Sequence, residues 1–192
     1  MKIQQFVMAY EVEQDRLRAL LPAGFSSLRP VLRINAEVRD GRSGYAELNT
    51  AVEKGGVRGW LNIGCWDDVP FSQTGSTTVF RTPHLTISFT GTGIEGSCPA
   101  EKDNDGCFFT GASETLRKPE IIRANKEFCD CRFAWHFHPG DACGQSIGKT
   151  LPAYPTEVRT VYPREALTPE NAARLPCLQV LGAYCVCLDR QR

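Results

Sequence analysis

Apolar and polar residues alternate between residues 30 and 66, and this period of two most constrains the fold. Successive side chains of a β-strand point to opposite faces, so the alternation predicts strands with one buried face. Three such strands are predicted at Val31 to Val38, Gly44 to Val52 and Val57 to Trp66. A Lys-Gly-Gly turn at residues 54 to 56 separates the last two, because glycine readily adopts the positive φ angles of tight hairpins. Together these segments predict an antiparallel meander.

Polar side chains collect on one face of the first two strands. In the first strand the apolar face carries Leu32, Ile34, Ala36 and Val38, and the polar face carries Arg33, Asn35, Glu37 and Arg39. In the second strand Tyr45, Glu47, Asn49 and Ala51 lie on the face opposite Ala46, Leu48, Thr50 and Val52. In an open sheet this polar face would meet water, whereas in a barrel it would face a cavity.

The rest of the chain predicts a β-rich fold in one domain spanning residues 1–192. The total is about ten strands with two or three short helices, which is typical of a mostly antiparallel β-barrel or a folded-over sheet. The remaining strands are predicted at 5–12, 84–90, 93–98, 106–111, 128–137, 156–162 and 177–188, helices at 15–21, after Pro119 and from Thr168, and a loop at 67–78.

Composition narrows the class of partner. The 22 basic and 22 acidic residues give a formal net charge of zero, which argues against a nucleic-acid surface. No apolar run approaches the roughly 20 residues that cross a bilayer, and no signal-peptide pattern opens the sequence. We therefore expect a cytoplasmic protein without nucleic-acid or membrane partners, and its nine cysteines should be reduced thiols.

A cluster of cysteines and histidines between residues 129 and 143 suggests a metal site, but strand parity argues against it. On one strand Cys129 and Cys131 share a face with aromatic residues, while His136 and His138 point the other way. One ion cannot be bound from both faces. We therefore expect neither a metal nor another cofactor.

The sequences "YEVEQDRLRALLPAGF" (10–25) and "GYAELNTAV" (44–52), with "LQVLGAYCVCLD" (178–189) near the end, resemble the acetoacetate decarboxylase-like family. The resemblance implies a cone-like antiparallel β-fold around a cavity. It also implies a cavity lysine that forms a Schiff base with a ketone, a second lysine that lowers its pKa, and a pair of glutamates.

The resemblance transfers only in part to the residues of this chain. Glu47 falls on one family glutamate, while the other would fall near Arg33 or Ile34, where there is no acid. The lysine pair corresponds to "TVFRTPH" (78–84), which has no lysine. Arginine stays protonated and is not a practical Schiff-base nucleophile, so the family's imine chemistry is not expected from this stretch.

Six residues are the resulting candidates for function. Glu47 and His84 are candidates for acid–base catalysis, or otherwise for solvated polar faces. Candidates for holding a small carboxylic acid are Arg33, Arg81, Tyr45 and Asn49.

Three hypotheses follow. The first is a lyase-type enzyme that acts on a small carbonyl or hydroxy acid by acid–base chemistry. The second is a non-catalytic small-molecule binding protein on the same fold. The third is a true decarboxylase that uses a relocated lysine such as Lys118. A homo-oligomer is expected in each case.

Overall fold

The computed structural model describes residues 1–91, 107–110, 115–117, 123–128, 131–138, 143–145 and 161–190. Within them, thirteen strands and two short helices succeed one another along the chain. In chain order these are β1 (Lys2–Glu11), α1 (Gln14–Leu20), β2 (Ser26–Arg39), β3 (Ser43–Lys54), β4 (Val57–Val69), β5 (Phe71–Thr74), β6 (Thr77–Arg81), β7 (Leu85–Gly91), β8 (Cys107–Thr110), β9 (Thr115–Arg117), β10 (Arg123–Phe128), β11 (Cys131–Phe137), β12 (Cys143–Gln145), α2 (Pro169–Ala173) and β13 (Gln179–Asp189).

The strands form two sheets. The larger has eight strands in the order β10-β13-β1-β2-β3-β4-β8-β9, and the smaller has five in the order β12-β11-β7-β6-β5. Every described pairing is antiparallel except that of β4 with β8. The prediction of a mostly β fold with few helices is confirmed.

The hydrophobic core lies between the two sheets. The larger sheet contributes even-numbered residues of β1, β2 and β3, as the alternation predicts. The smaller sheet contributes aromatic and aliphatic residues, and Tyr10 stacks on Trp135 with ring centroids 4.8 Å apart. This core includes Phe6, Met8, Ile34, Ala36 and Leu48 on one side, and Phe80, Ile87, Phe89, Phe133 and Phe137 on the other.

Local signals determine the turns and helices that frame this core. The β3–β4 turn has φ angles of 57° at Gly55 and 78° at Gly56, which confirms the predicted glycine hairpin. Leu17 and Leu20 of α1 are buried against the sheet. The backbone amide of Asn171 donates to the Thr168 hydroxyl across 3.2 Å, which confirms the predicted start of α2.

The predicted loop at 67–78 is wrong. Strand β4 continues to Val69, and β5 and β6 form a hairpin around Gly75, whose φ is 58°. Residues 72 to 74 are exposed on the edge strand β5, and polar residues are what an exposed edge tolerates. The composition therefore resembled a loop although the backbone is paired.

Other sequence expectations differ from the structure in the described residues. Residues 123–126 belong to β10, so the helix predicted after Pro119 does not extend there, and residues 161 and 162 are not in a strand. The described strands do not close into a barrel, since both sheets end in strands with one neighbour. The strand predicted at 93–98 lies outside the described residues. No helix in the part of the chain that the structure describes is long and apolar enough to cross a bilayer.

Candidate functional site

A buried polar cluster lies on the face of the larger sheet that points away from the core. Residues paired directly across antiparallel strands share a face, and the register pairs Asn35 with Glu47 and Arg33 with Asn49. These four side chains are almost completely buried, with exposed fractions from 1% to 5%. We call Arg33, Asn35, Tyr45, Glu47 and Asn49 the Glu47 cluster.

The Glu47 carboxylate is the centre of this cluster. Its Oε1 accepts hydrogen bonds from Asn35 Nδ2 and Asn49 Nδ2, both across 3.1 Å, and from Arg33 Nη2 across 3.5 Å. Its Oε2 accepts a hydrogen bond from the Tyr45 hydroxyl across 2.6 Å. Donors from two strands therefore compensate for the water that the carboxylate loses on burial.

Arg33 balances the charge of Glu47 and joins the cluster to β4. Its Nε donates to Asn49 Oδ1 across 2.9 Å, and its guanidinium carbon lies 4.0 Å from the centre of the Trp60 ring. The exposed guanidinium of Arg29 lies 5.4 Å from the same ring centre.

Tyr45 connects Glu47 to the protein surface. The thiol of Cys65, which is directly opposite Glu47 in the sheet and exposed, donates to the Tyr45 hydroxyl across 3.3 Å. Burial, and then the neighbouring Glu47 charge, raise the pKa of Tyr45 well above its usual range. Tyr45 therefore stays a hydrogen-bond donor at any ordinary pH.

A second buried acid shares the same face. The Glu37 carboxylate, 2% exposed as a residue, accepts from Arg39 Nε across 2.8 Å and pairs with Arg190 Nη2 at 3.5 Å. Arg39 also pairs with Asp67 at 3.1 Å and lies over the Tyr45 ring at 4.0 Å. Glu37 thus has its own arginine partners, distinct from the Arg33 that pairs with Glu47.

The structure separates His84 and Arg81 from the cluster. His84 Nδ1 lies 2.8 Å from Glu170 Oε1, and its ring packs 5.6 Å from that of Trp66, next to the core between the sheets. Arg81 is exposed at the end of β6 in the smaller sheet. Four of the six candidates, Arg33, Tyr45, Glu47 and Asn49, therefore form one group, and the other two do not join it.

Sequence reasoning did not select Asn35 and Trp60 as site residues. Parity did place Asn35 on the polar face of its strand, between Arg33 and Glu37. The missing information was the strand register, which puts Asn35 directly opposite Glu47. Trp60 pairs with Ala51 across β3 and β4, and a register shift between Leu48 and Asn49 precedes that pair. A register shift of this kind cannot be predicted from the alternation of apolar and polar residues.

Strand parity around the histidines is as predicted. Phe133, Trp135 and Phe137 are buried, whereas His136 is exposed and His138 half-buried. Cys129 and the side chains of Cys131 and Cys143 lie outside the described part. Within that part no group of three potential metal ligands comes together.

Two described lysine side chains lie away from the cluster. Lys2 begins β1, and Lys54 stands at the β3–β4 turn with its ammonium 4.8 Å from the centre of the Phe25 ring. Lys118 lies outside the described residues. A groove of about 570 Å³ opens beside Lys2, lined by Gln4, Gln73 and Asp189 among others, and no member of the Glu47 cluster lines it.

Fold and site together define an open two-sheet β protein with a buried, charge-paired polar cluster on the outer face of its larger sheet. This is the acetoacetate decarboxylase-like fold, so the resemblance noted in the sequence is confirmed at the level of the fold. The chain aligns with the crystal structure of acetoacetate decarboxylase from Legionella pneumophila at a TM-score of 0.65 and 12% identity, covering 98% of this chain and 82% of that one.

A second acetoacetate decarboxylase structure aligns at a TM-score of 0.59 and 10% identity, covering 97% of this chain and 84% of that one. No protein-family model matches the sequence, and no curated protein matches it significantly. At identities this low the structural similarity supports the fold alone, and any chemistry has to be argued from the residues of this chain.

Proposed function

We propose that this protein binds a small carbonyl or hydroxy acid at the Glu47 cluster and carries out lyase-type acid–base chemistry without a Schiff-base lysine. The observation that supports the proposal is the burial of Glu47 and Arg33, 5% and 4% exposed, on the face away from the hydrophobic core. A buried ion pair is costly to desolvate and is weak evidence for stability, so its presence needs another reason. Binding of a polar ligand is such a reason.

Two guanidinium groups beside the cluster favour an anionic ligand. Arg29 and Arg33 both lie against Trp60, and Arg33 also pairs with Glu47. A planar guanidinium binds a carboxylate through two parallel hydrogen bonds. We assign the ligand's carboxylate to the Arg29 side of the cluster, because Arg29 is exposed and lies against the same Trp60 ring as Arg33.

Glu47 Oε2 is the atom best suited to accept a proton from the ligand. Within the described residues Oε1 accepts three hydrogen bonds, whereas Oε2 accepts one, from Tyr45. In the proposed step Glu47 Oε2 takes a proton from the carbon beside the ligand's carbonyl, and the electron pair moves onto the carbonyl oxygen to form an enolate. The Tyr45 hydroxyl would keep the carboxylate in place during this transfer.

A non-catalytic binding protein is the second candidate function. The hydrogen bonds on Oε1 hold the carboxylate rigidly, and a rigid acceptor suits binding as well as catalysis. The two functions share one site and differ only in whether a proton leaves carbon.

Two measurements on the wild-type protein test these functions. Calorimetric titration with pyruvate, acetoacetate, lactate and 3-hydroxybutyrate should give saturable binding of at least one acid. Propionate is the control, because it has a carboxylate but neither a ketone nor a hydroxyl group. Proton NMR in D₂O should then show protein-dependent exchange of the hydrogens next to the carbonyl. Binding without exchange supports the non-catalytic function, and the absence of binding by all four acids contradicts both.

A further inference from the structure

One acceptor in the Glu47 cluster is buried and has no partner in the described part of the chain. It is Oδ1 of Asn35, a residue that is 5% exposed. An unsatisfied buried carbonyl costs roughly 1–3 kcal/mol, so proteins seldom leave one without a reason. A bound ligand that donates a hydrogen bond would satisfy it.

The orientation of the Asn35 amide follows from its neighbour. Asn35 Nδ2 donates to Glu47 Oε1 across 3.1 Å, and a flipped amide would place its oxygen against the carboxylate oxygen. Repulsion between two acceptors excludes the flip, so Oδ1 is the atom without a partner in the described residues. The unsatisfied position of the cluster is therefore an acceptor beside a carboxylate.

The chemistry of this position selects the group that the ligand presents. A ketone has no donor for Asn35 Oδ1, while an ammonium group would bring a further positive charge to a carboxylate already paired with Arg33. A hydroxyl donates one hydrogen bond, carries no charge and can accept another bond from a neighbouring donor. A neutral hydroxyl is the group that satisfies Asn35 without unbalancing Glu47.

We propose that the Glu47 cluster is selective for the hydroxyl group of a small hydroxy acid, with Asn35 Oδ1 as the acceptor that distinguishes it from the matching oxo acid. This inference rests on the proposed function, because it assumes that the ligand binds at this cluster. It concerns binding, in which the hydroxy acid is preferred over the matching oxo acid, whereas the proposed enolate step can act only on an oxo acid.

The test compares two acids with the same carbon skeleton. Lactate and pyruvate differ only at the second carbon, which carries a hydroxyl in one and a carbonyl in the other. Calorimetric titration of the wild-type protein should give a Kd at least about tenfold lower for one enantiomer of lactate than for pyruvate, since pyruvate leaves Oδ1 unpaired. In Asn35→Leu, which is similar in size, this ratio should fall to about one.

A control variant checks the assignment to Asn35. Asn62 Oδ1 is another buried acceptor without a partner in the described residues, on the adjacent strand β4 and directly opposite Asn49. Asn62→Leu should keep the preference for lactate. An Asn62→Leu variant that loses this preference, together with an Asn35→Leu variant that keeps it, would overturn the assignment. If Asn35→Leu does not fold, the wild-type ratio decides the question.

The two proposals fail in different ways. Equal or tighter binding of pyruvate by the wild-type protein would overturn the selectivity and leave the proposed function standing. Failure of the hydroxy and oxo acids alike to bind would overturn both.

Discussion

The Tyr45 hydroxyl donates a hydrogen bond to Glu47 Oε2 across 2.6 Å, and Tyr45 lies two residues before Glu47 on the same face of β3. Residues i and i+2 of a strand project side by side, so this contact forms within one strand and needs no distant element. Burial, and secondly the charge of Glu47, raise the pKa of Tyr45 and keep the donor protonated. The hydrogen bond thereby holds the carboxylate in place at the centre of the buried cluster.

Tyr45→Phe should destabilise the fold by about 1.5–3 kcal/mol, because the carboxylate loses a charge-assisted hydrogen bond. Chemical denaturation in urea measures the difference in the free energy of unfolding.

Tyr10→Phe is the matched control, since the Tyr10 hydroxyl is buried beside Trp135 and no group in the described residues reaches it with hydrogen-bond geometry. Trp135 lies close enough to lower the pKa of Tyr10 slightly, but burial has the larger effect and raises this pKa. This control should be neutral or stabilising, and equal losses in the two variants would contradict the role given to Tyr45.

Arg33→Met should cost about 3–5 kcal/mol, because it leaves the Glu47 charge buried without its counter-charge. Combining it with Glu47→Gln removes both charges, so the double variant should be more stable than Arg33→Met alone. Urea unfolding of the wild type, both single variants and the double variant gives the coupling energy. A loss within about 0.5 kcal/mol for Arg33→Met would mean that the pair is solvated.

Glu170, at the start of α2, should contribute to stability in a way that depends on pH in the acid range. Three interactions hold the pKa of Glu170 below its usual range: first its own backbone amide, then the Thr168 hydroxyl, and last the charge of His84. A lowered pKa in the folded state stabilises the protein above the ordinary value of 4.5, and this contribution is lost as the pH falls from there through the folded-state pKa. Thermal unfolding should therefore show Glu170→Gln less stable than the wild type at pH 6, with the difference closing as the pH falls from 4.5 through the lowered folded-state pKa. A difference that stays constant with pH would contradict this assignment.

Borohydride should not trap a covalent adduct when the protein is mixed with acetoacetate. Neither Lys2 nor Lys54 lies at the cluster, and the stretch from Thr78 to His84 has no lysine. Mass spectrometry of peptides after reduction measures any adduct, and an acetoacetate decarboxylase treated in parallel is the positive control. A mass increase on any lysine, Lys118 included, would favour the relocated-lysine hypothesis over the proposal made here.

Much of the cluster could be predicted from the sequence because a period of two assigns faces. That pattern put Tyr45, Glu47 and Asn49 on one face and Arg33 on the polar face of the preceding strand. It could not assign the partners across strands, since register depends on the bulges near residues 28 to 31 and 48 to 49. Asn35 was therefore not selected although it donates to Glu47.

His84 shows a different limit of sequence reasoning. It directly precedes β7, which alternates as predicted with Thr86, Ser88 and Thr90 half-exposed, but β7 belongs to the second sheet. Which strands share a sheet depends on long-range pairing, and local periodicity carries no information about it. The absence of barrel closure among the described strands has the same cause.

Ligand binding by Glu47→Gln tests the central claim, that the Glu47 cluster is the ligand site, most directly. The swap keeps the shape of the side chain and removes its charge, and Glu37→Gln is the matched control because Glu37 is equally buried on the same face but pairs with Arg39 and Arg190. We expect calorimetric titration with lactate to show binding weakened at least about tenfold in Glu47→Gln and little changed in Glu37→Gln, while circular dichroism shows both folded. Unchanged binding in a folded Glu47→Gln variant, or equal losses in the two variants, would contradict the claim.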